Sequence, residues 1–274
     1  MAKTSHAFVA TMLLFGVIST AAEKASAATF AGVRVTAGST VRVDVPLSDL
    51  ERSYVSEGGN VPPARAVAVL AVPAAFDPVK TWPVLVVFST SDFKRQNRDD
   101  LVNFYREAGL AQGWVLIAGD GPEPARHDSS GWRAGMTLAA LDAMHRSFPG
   151  SDKWPIACAG FSGGAKRAGL LAPLLLLAGN RVIGVFLTGV NEDTLSDGFR
   201  TYKPGGNFLR TPVFLSTGAA DKIAQPQQQN EVKLSMQKTG FGRVRQETFP
   251  TGHVVKRTHI EEALRWFRES QGAG

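Results

Sequence analysis

Ser162 lies at the centre of Gly160-Phe161-Ser162-Gly163-Gly164, a G-x-S-x-G pattern that directly follows the apolar run 155–159. A serine hydroxyl is a weak nucleophile until a base takes its proton, so the motif carries chemistry only if a base and an orienting acid can reach it. Two later segments offer them. The run 212–216 leads into Thr217-Gly218-Ala219-Ala220-Asp221, and the run 243–249 leads into Pro250-Thr251-Gly252-His253. The order Ser162, Asp221, His253 puts nucleophile, acid and base each in a loop behind a strand-like segment. With that geometry Ser162 attacks an acyl carbonyl and His253 accepts its proton. Asp221 holds the imidazole tautomer and stabilises its charged form.

Two rivals remain open. Asp193 follows the run 182–190 and is an alternative acid, and His127 stands in a loop as an alternative base. His145 and His259 fall in helix-like stretches, and His6 falls near the N-terminus. The glycines of the motif have a physical reason, because a nucleophile on a sharp strand-to-helix turn is strained. A Cβ two residues before or after it would strike the neighbouring strand or helix. A glycine-rich turn that merely links strand to helix is the competing reading of the same five residues.

The elements that must position these residues are legible as hydrophobic pattern. Five apolar runs at 82–88, 114–118, 154–159, 182–190 and 212–216 lack strict alternation, as strands covered on both faces do. Between them, 99–111 and 132–148 repeat apolar residues at three and four, and Pro149-Gly150 stops the second. The segments 33–35, 40–45 and 66–72 look like strands in antiparallel connection, opening the sheet at one edge, with Gly38 marking a turn. Helix-like 225–238, strand-like 243–249 and an amphipathic 255–270 close the chain. The expected fold class is α/β: a mostly parallel central sheet flanked by helices with an antiparallel N-terminal edge. The interval between Ser162 and Asp221 is filled by a helix and two strands, so no large lid domain fits there. The segment 191–210 could still form a small flap, and 119–131 a wall of the cleft. Pro173 is expected to kink the helix after Ser162 or to mark its true start. Lys166 and Arg167 read as a solvated helix face, with an anchor for acidic substrate as the rival.

On these residues the chain resembles the α/β-hydrolase superfamily, and within it compact dienelactone-hydrolase-like and polyester-depolymerase-like esterases. The resemblance spans about 66–267 and rests on the elbow 160–164, on Gly218 with Asp221, and on Gly252-His253. It implies an α/β-hydrolase fold, a serine-esterase activity through an acyl-enzyme, and an oxyanion hole. One oxyanion donor would be the Gly163 N–H, and the other would come from the loop Phe88-Ser89-Thr90-Ser91-Asp92, where Thr90 and Ser91 are equal candidates. Many relatives carry His-Gly where this chain has Ser89-Thr90, which leaves a backbone donor in place but changes the loop. The substrate would be a small-molecule or polymeric ester. A hydrolase-fold binding protein, or a peptidase or thioesterase, is the alternative.

The whole chain agrees with that reading. Its 274 residues, 44% hydrophobic and 20% charged, suit one globular α/β domain over 28–274. The net charge of +6 comes from scattered Lys and Arg without a basic run, which argues against nucleic acid. Apolar 7–18 and the small residues Ala25-Ser26-Ala27 read as a signal peptide over 1–27, hence an exported protein with no stable membrane anchor after cleavage. Cys158 is the single cysteine, so no internal disulfide can form, and it reads as an inert buried thiol. No metal-ligand spacing or phosphate-cradling loop is present, and no cofactor is expected.

Overall fold

The computed structural model describes residues 28–57, 59–90 and 95–272. The expected leader 1–27 and the oxyanion candidate Ser91 lie outside the described residues. The chain opens with a hairpin of β1 (Thr29–Phe30) and β2 (Val33–Arg34), whose turn residues Ala31 and Gly32 both take positive φ. This hairpin is a separate two-stranded sheet. It does not join the main sheet's edge as its pattern suggested, because two residues per strand are too few to extend the ladder. The edge is instead β3 (Thr40–Pro46), followed by α1 (Asp49–Glu57) and β4 (Arg65–Ala71).

The five unalternated runs form the sheet interior. They are β5 (Val84–Phe88), β6 (Val115–Asp120), β7 (Pro155–Phe161), β8 (Arg181–Thr188) and β9 (Val213–Gly218), with β10 (Val244–Phe249) at the far edge. The strand order is β10-β9-β8-β7-β5-β6-β4-β3. Pairing is parallel from β10 to β6 and antiparallel at β6–β4 and β4–β3. Apolar side chains go both ways because both faces are covered. Val86, Cys158, Val185 and Leu215 face one core, while Val87, Ala157, Phe186 and Phe214 face the other.

The first core is closed by α1, α4 (Ser130–Ser147), α5 (Gly163–Leu177), α6 (Thr194–Tyr202) and α7 (Pro226–Thr239). The second is closed by α8 (Arg257–Gly272) and a helix over 97–111. That last helix is not uniform: α2 (Asn97–Asp100) runs into a π turn, Leu101–Tyr105, before α3 (Arg106–Ala111). Each interior aromatic is worth a few kcal/mol, so truncating the fully buried Phe214 would cost about 3–5 kcal/mol.

Three local expectations change. The helix α5 starts at Gly163 and runs through Pro173, so the proline does not mark its start. The segment 191–210 is no flap: α6 lies on α5 so closely that a Cβ on Gly198 would come 2.4 Å from the Leu170 carbonyl oxygen. Thr194 Oγ1 also donates to Lys166 O at 2.7 Å. Arg167 is not on a solvated face either. It donates to Ser130 Oγ and Asp128 O, each at 2.7 Å, and burial lowers its pKa.

Candidate active site

The site is built where the parallel strands end. Ser162 follows β7 with φ 56° and ψ −121°, a backbone region that costs a non-glycine residue on the order of 1–3 kcal/mol. Its surroundings over-determine it. Ser162 N–H donates to Thr188 O at 2.9 Å, carrying the β7–β8 pairing one residue past the strand, and Ser162 O accepts from Ala165 N–H at 3.0 Å. A Cβ on Gly160 would lie 2.0 Å from the Gly164 carbonyl oxygen, and one on Gly164 would lie 2.3 Å from Phe88 O. The motif's first and last glycines are therefore required by backbone contact.

The loops after β9 and β10 bring the other two residues together. Ala219 N–H donates to Phe249 O at 2.8 Å and Ala220 N–H to Thr251 O at 2.9 Å, extending the β9–β10 ladder beyond both strands. Asp221 and His253 thus emerge side by side. Asp221 Oδ2 lies 2.8 Å from His253 Nδ1, and His253 Nε2 lies 2.9 Å from Ser162 Oγ. With the proton on Nδ1, the imidazole donates to the carboxylate and accepts from the hydroxyl. The second carboxylate oxygen is fixed as well, accepting from Ile223 N–H at 2.8 Å and Ala224 N–H at 2.9 Å. The Asp221 side chain is 1% exposed and that of His253 is 14% exposed, so bulk water reaches only the histidine.

The rivals have other employment. Asp193 caps α6, its Oδ1 accepting from Ser196 N–H at 3.0 Å. His127 is exposed, and its backbone is pinned on both sides by the Asn60 side chain. His145 bonds Ser151 and Asn180. His259 bonds Ser216 Oγ at 2.9 Å and stacks on Phe249, and burial, helped by the Lys256 charge, lowers its pKa to about 4. Burial pushes the Cys158 thiol pKa far up, as an inert core cysteine requires. Among the described residues no group of three His, Cys, Asp or Glu side chains could hold a metal ion.

Two residues around His253 escaped the sequence reading. The Phe161 ring lies 4.7 Å from the imidazole, tilted against it by 42°. Gly189, at φ 60°, leaves room for the same ring: a Cβ there would come 3.0 Å from His253 Cε1. Its signal was present, since Thr188-Gly189, Thr217-Gly218 and Thr251-Gly252 repeat one dipeptide near three strand ends. On the other flank, Gly163 opens α5 and Thr90 follows the fully buried Ser89 at the end of β5. Behind Ser89 lies a cluster of buried charges. Burial pushes Asp120 up to about 6 against the opposing pull of Arg133, and pushes Asp100 up to about 6 against Arg95.

No family model matches the chain, and no curated protein matches it in sequence. Solved structures do match in shape. A bacterial heroin esterase superposes with a TM-score of 0.59 at 18% identity, over 85% of this chain and 84% of its own. An alpha-beta serine hydrolase homologue from Coxiella burnetii gives 0.55 at 13%, over 86% and 98%. The dipeptidyl peptidase 4 of Porphyromonas gingivalis gives 0.54 at 13%, over 87% of this chain but 36% of its own length. With an eight-stranded, mostly parallel sheet and a strained serine between a strand and a helix, this chain has the α/β-hydrolase fold.

Proposed function

We propose that the protein is a serine hydrolase that cleaves carboxylic esters through a covalent acyl-enzyme. The observation that carries this reading is the continuous hydrogen-bond chain from Asp221 through His253 to Ser162. His253 Nε2 removes the hydroxyl proton as Ser162 Oγ bonds to the acyl carbon. The protonated imidazole, stabilised by Asp221, then gives that proton to the departing alcohol. Water, deprotonated by the same imidazole, hydrolyses the acyl-enzyme and restores Ser162. The developing oxyanion is stabilised by the Gly163 N–H at the positive end of the α5 dipole and by a second N–H from the loop after β5. Thr90 is the donor we assign within the described residues, and Ser91 remains its rival.

No metal or organic cofactor is required by this scheme. The substrate is an ester, small or polymeric, reached from the end of the sheet where Ser162 stands, without a large lid. Export by an N-terminal leader belongs to the same proposal, and secreted material should begin at Ala28 or within a few residues of it.

The test is labelling by a fluorophosphonate, which reacts quickly only with an activated serine, followed by a panel of p-nitrophenyl esters of increasing acyl length. Rapid label at Ser162 and turnover of at least one ester are expected. A parent protein that neither labels nor turns over any ester would instead be a hydrolase-fold binding protein.

A further inference from the structure

Opposite the Asp221–His253 flank of Ser162, on the side of β5 and β6, a guanidinium carried by α4 is buried. Arg133 of α4 is 4% exposed, and all three of its nitrogens are engaged. Nε donates to Asp128 Oδ1 at 2.7 Å and Nη2 to Arg95 O at 3.1 Å. Nη1 lies 3.0 Å from Asn97 Oδ1, 3.2 Å from Ser89 Oγ and 3.4 Å from Asp120 Oδ1. One side chain therefore ties the end of β5, the start of α2, the end of β6 and the approach to α4.

Two of these partners, Ser89 and Arg95, bracket the loop that follows β5. The Ser89 hydroxyl also donates to Arg95 O at 3.3 Å, and the Ser89 N–H donates to Asn97 Oδ1 at 2.9 Å. Asn97 is itself locked, its N–H donating to Asp120 Oδ1 at 2.8 Å and its Nδ2 to Gly119 O at 2.9 Å. The first turn of α5 rests on the same backbone, since a Cβ on Gly164 would come 2.9 Å from the Ser89 carbonyl carbon.

Buried ion networks rarely stabilise a fold better than apolar side chains of equal volume. Their occurrence here is explained by what they hold in place. We propose that Arg133 is a positioning residue for oxyanion stabilisation, fixing the Thr90 N–H beside Ser162 by clamping Ser89, Arg95 and Asn97 against Asp120 and Asp128. This rests on the hydrolase reading above. Lysine cannot replace it, because one ammonium cannot present a planar fork to four stretches of chain.

An oxyanion donor acts on the transition state and not on the bound ester, so a displaced donor lowers kcat and leaves KM nearly unchanged. The experiment compares the parent with Arg133→Lys and Arg133→Met. Each is titrated to completion with a fluorophosphonate, so that rates refer to competent sites only. The expected result is a loss in kcat per site of about 10- to 100-fold with KM within about threefold. Affinity for a trifluoromethyl ketone, which adds to the serine as an oxyanion, should fall by the same factor. A kcat per site within about twofold of the parent in both variants overturns the proposal, as does a loss confined to KM.

Should neither Arg133 variant fold, Ser89→Ala decides, because it removes the clamp's link to the end of β5. A loss of roughly fivefold in kcat at constant KM is then expected, and an unchanged kcat overturns the proposal. A parent that neither labels nor turns over an ester fails at the earlier step. The hydrolase reading falls in that case and takes this inference with it, whereas an active parent with unimpaired variants removes the inference alone.

Discussion

The two flanks of Ser162 are held by different means. On the side of β8, β9 and β10, position is set by backbone: parallel ladders run past the strand ends, and Gly189 and Gly218 let loops close on each other. A Cβ on Gly218 would come 2.3 Å from Gly252 O. On the side of β5 and β6, position is set by buried side-chain charges, with Arg95, Arg133 and Arg167 set among Asp100, Asp120 and Asp128. Asp221 and His253 are thus brought together by backbone groups that do not titrate, while Ser89 and Asn97 are held by side chains that do. The first flank is vulnerable to added volume, and the second to lost charge.

Replacing the nucleophile should have the largest effect. Ser162→Ala should remove on the order of 10⁶ in kcat, measured on an ester that the parent hydrolyses. Full activity in that variant would end the comparison by removing its centre. Next comes the acid. Asp221→Asn should lose up to about 10⁴ in rate through the wrong imidazole tautomer. Asp193→Asn should keep its rate and lose at most about 1 kcal/mol as a weakened helix cap. The reverse outcome would move the acid to the end of β8.

Volume is tested at Gly189. Gly189→Ala should lower kcat by about tenfold by pushing the imidazole out of line, since the new Cβ would meet both His253 and Phe161. An unchanged rate would mean that this flank is less tightly packed than the backbone contacts require.

The smallest effect is on stability and has a definite sign. His259, with a pKa of about 4 against an ordinary 6.5, is neutral in the fold. Its contribution is intact above about pH 6.5 and is lost as pH falls toward 4, because the unfolded chain takes up the proton first. Asp100 and Asp120 act oppositely. Raised from 3.8 to about 6, they keep protons in the fold that the unfolded chain releases. Their contribution therefore falls as pH rises from about 4 to 6. Urea melts at pH 7 and 5 should separate these terms. Relative to the parent, His259→Gln should gain roughly 2 kcal/mol on acidification. A pH-independent difference would place the charge sensitivity elsewhere.

Much of the first flank was legible in the sequence. Ser162 and Asp221 each stand just behind an apolar strand and His253 behind the alternating strand 243–249, and a parallel sheet puts all such positions on one edge. Gly160 and Gly164 announced the elbow. The second flank was hidden. Arg133 and Asp120 have the composition of surface charges, and nothing local to either reveals that both reach Asn97, or that Arg133 reaches Ser89, residues remote from Arg133 in sequence. Lys166 and Arg167 look alike in the sequence, yet Lys166 meets the exposed Glu192 while Arg167 enters the buried cluster. The π turn over 101–105 kept the apolar spacing of an ordinary helix and so left no mark. The small hairpin at 29–34 had a strand's composition without the length to enter the sheet.

The lone thiol of Cys158 is sealed in the core at the middle of β7, two residues before the first glycine of the motif. A molecule with one inaccessible cysteine has no redox state to maintain. It can neither mispair during folding nor couple to a second copy through sulfur. Its architecture therefore does not depend on sulfur chemistry, and packing, hydrogen bonds and buried ion pairs hold it together alike in a reducing cell interior and in an oxidising medium.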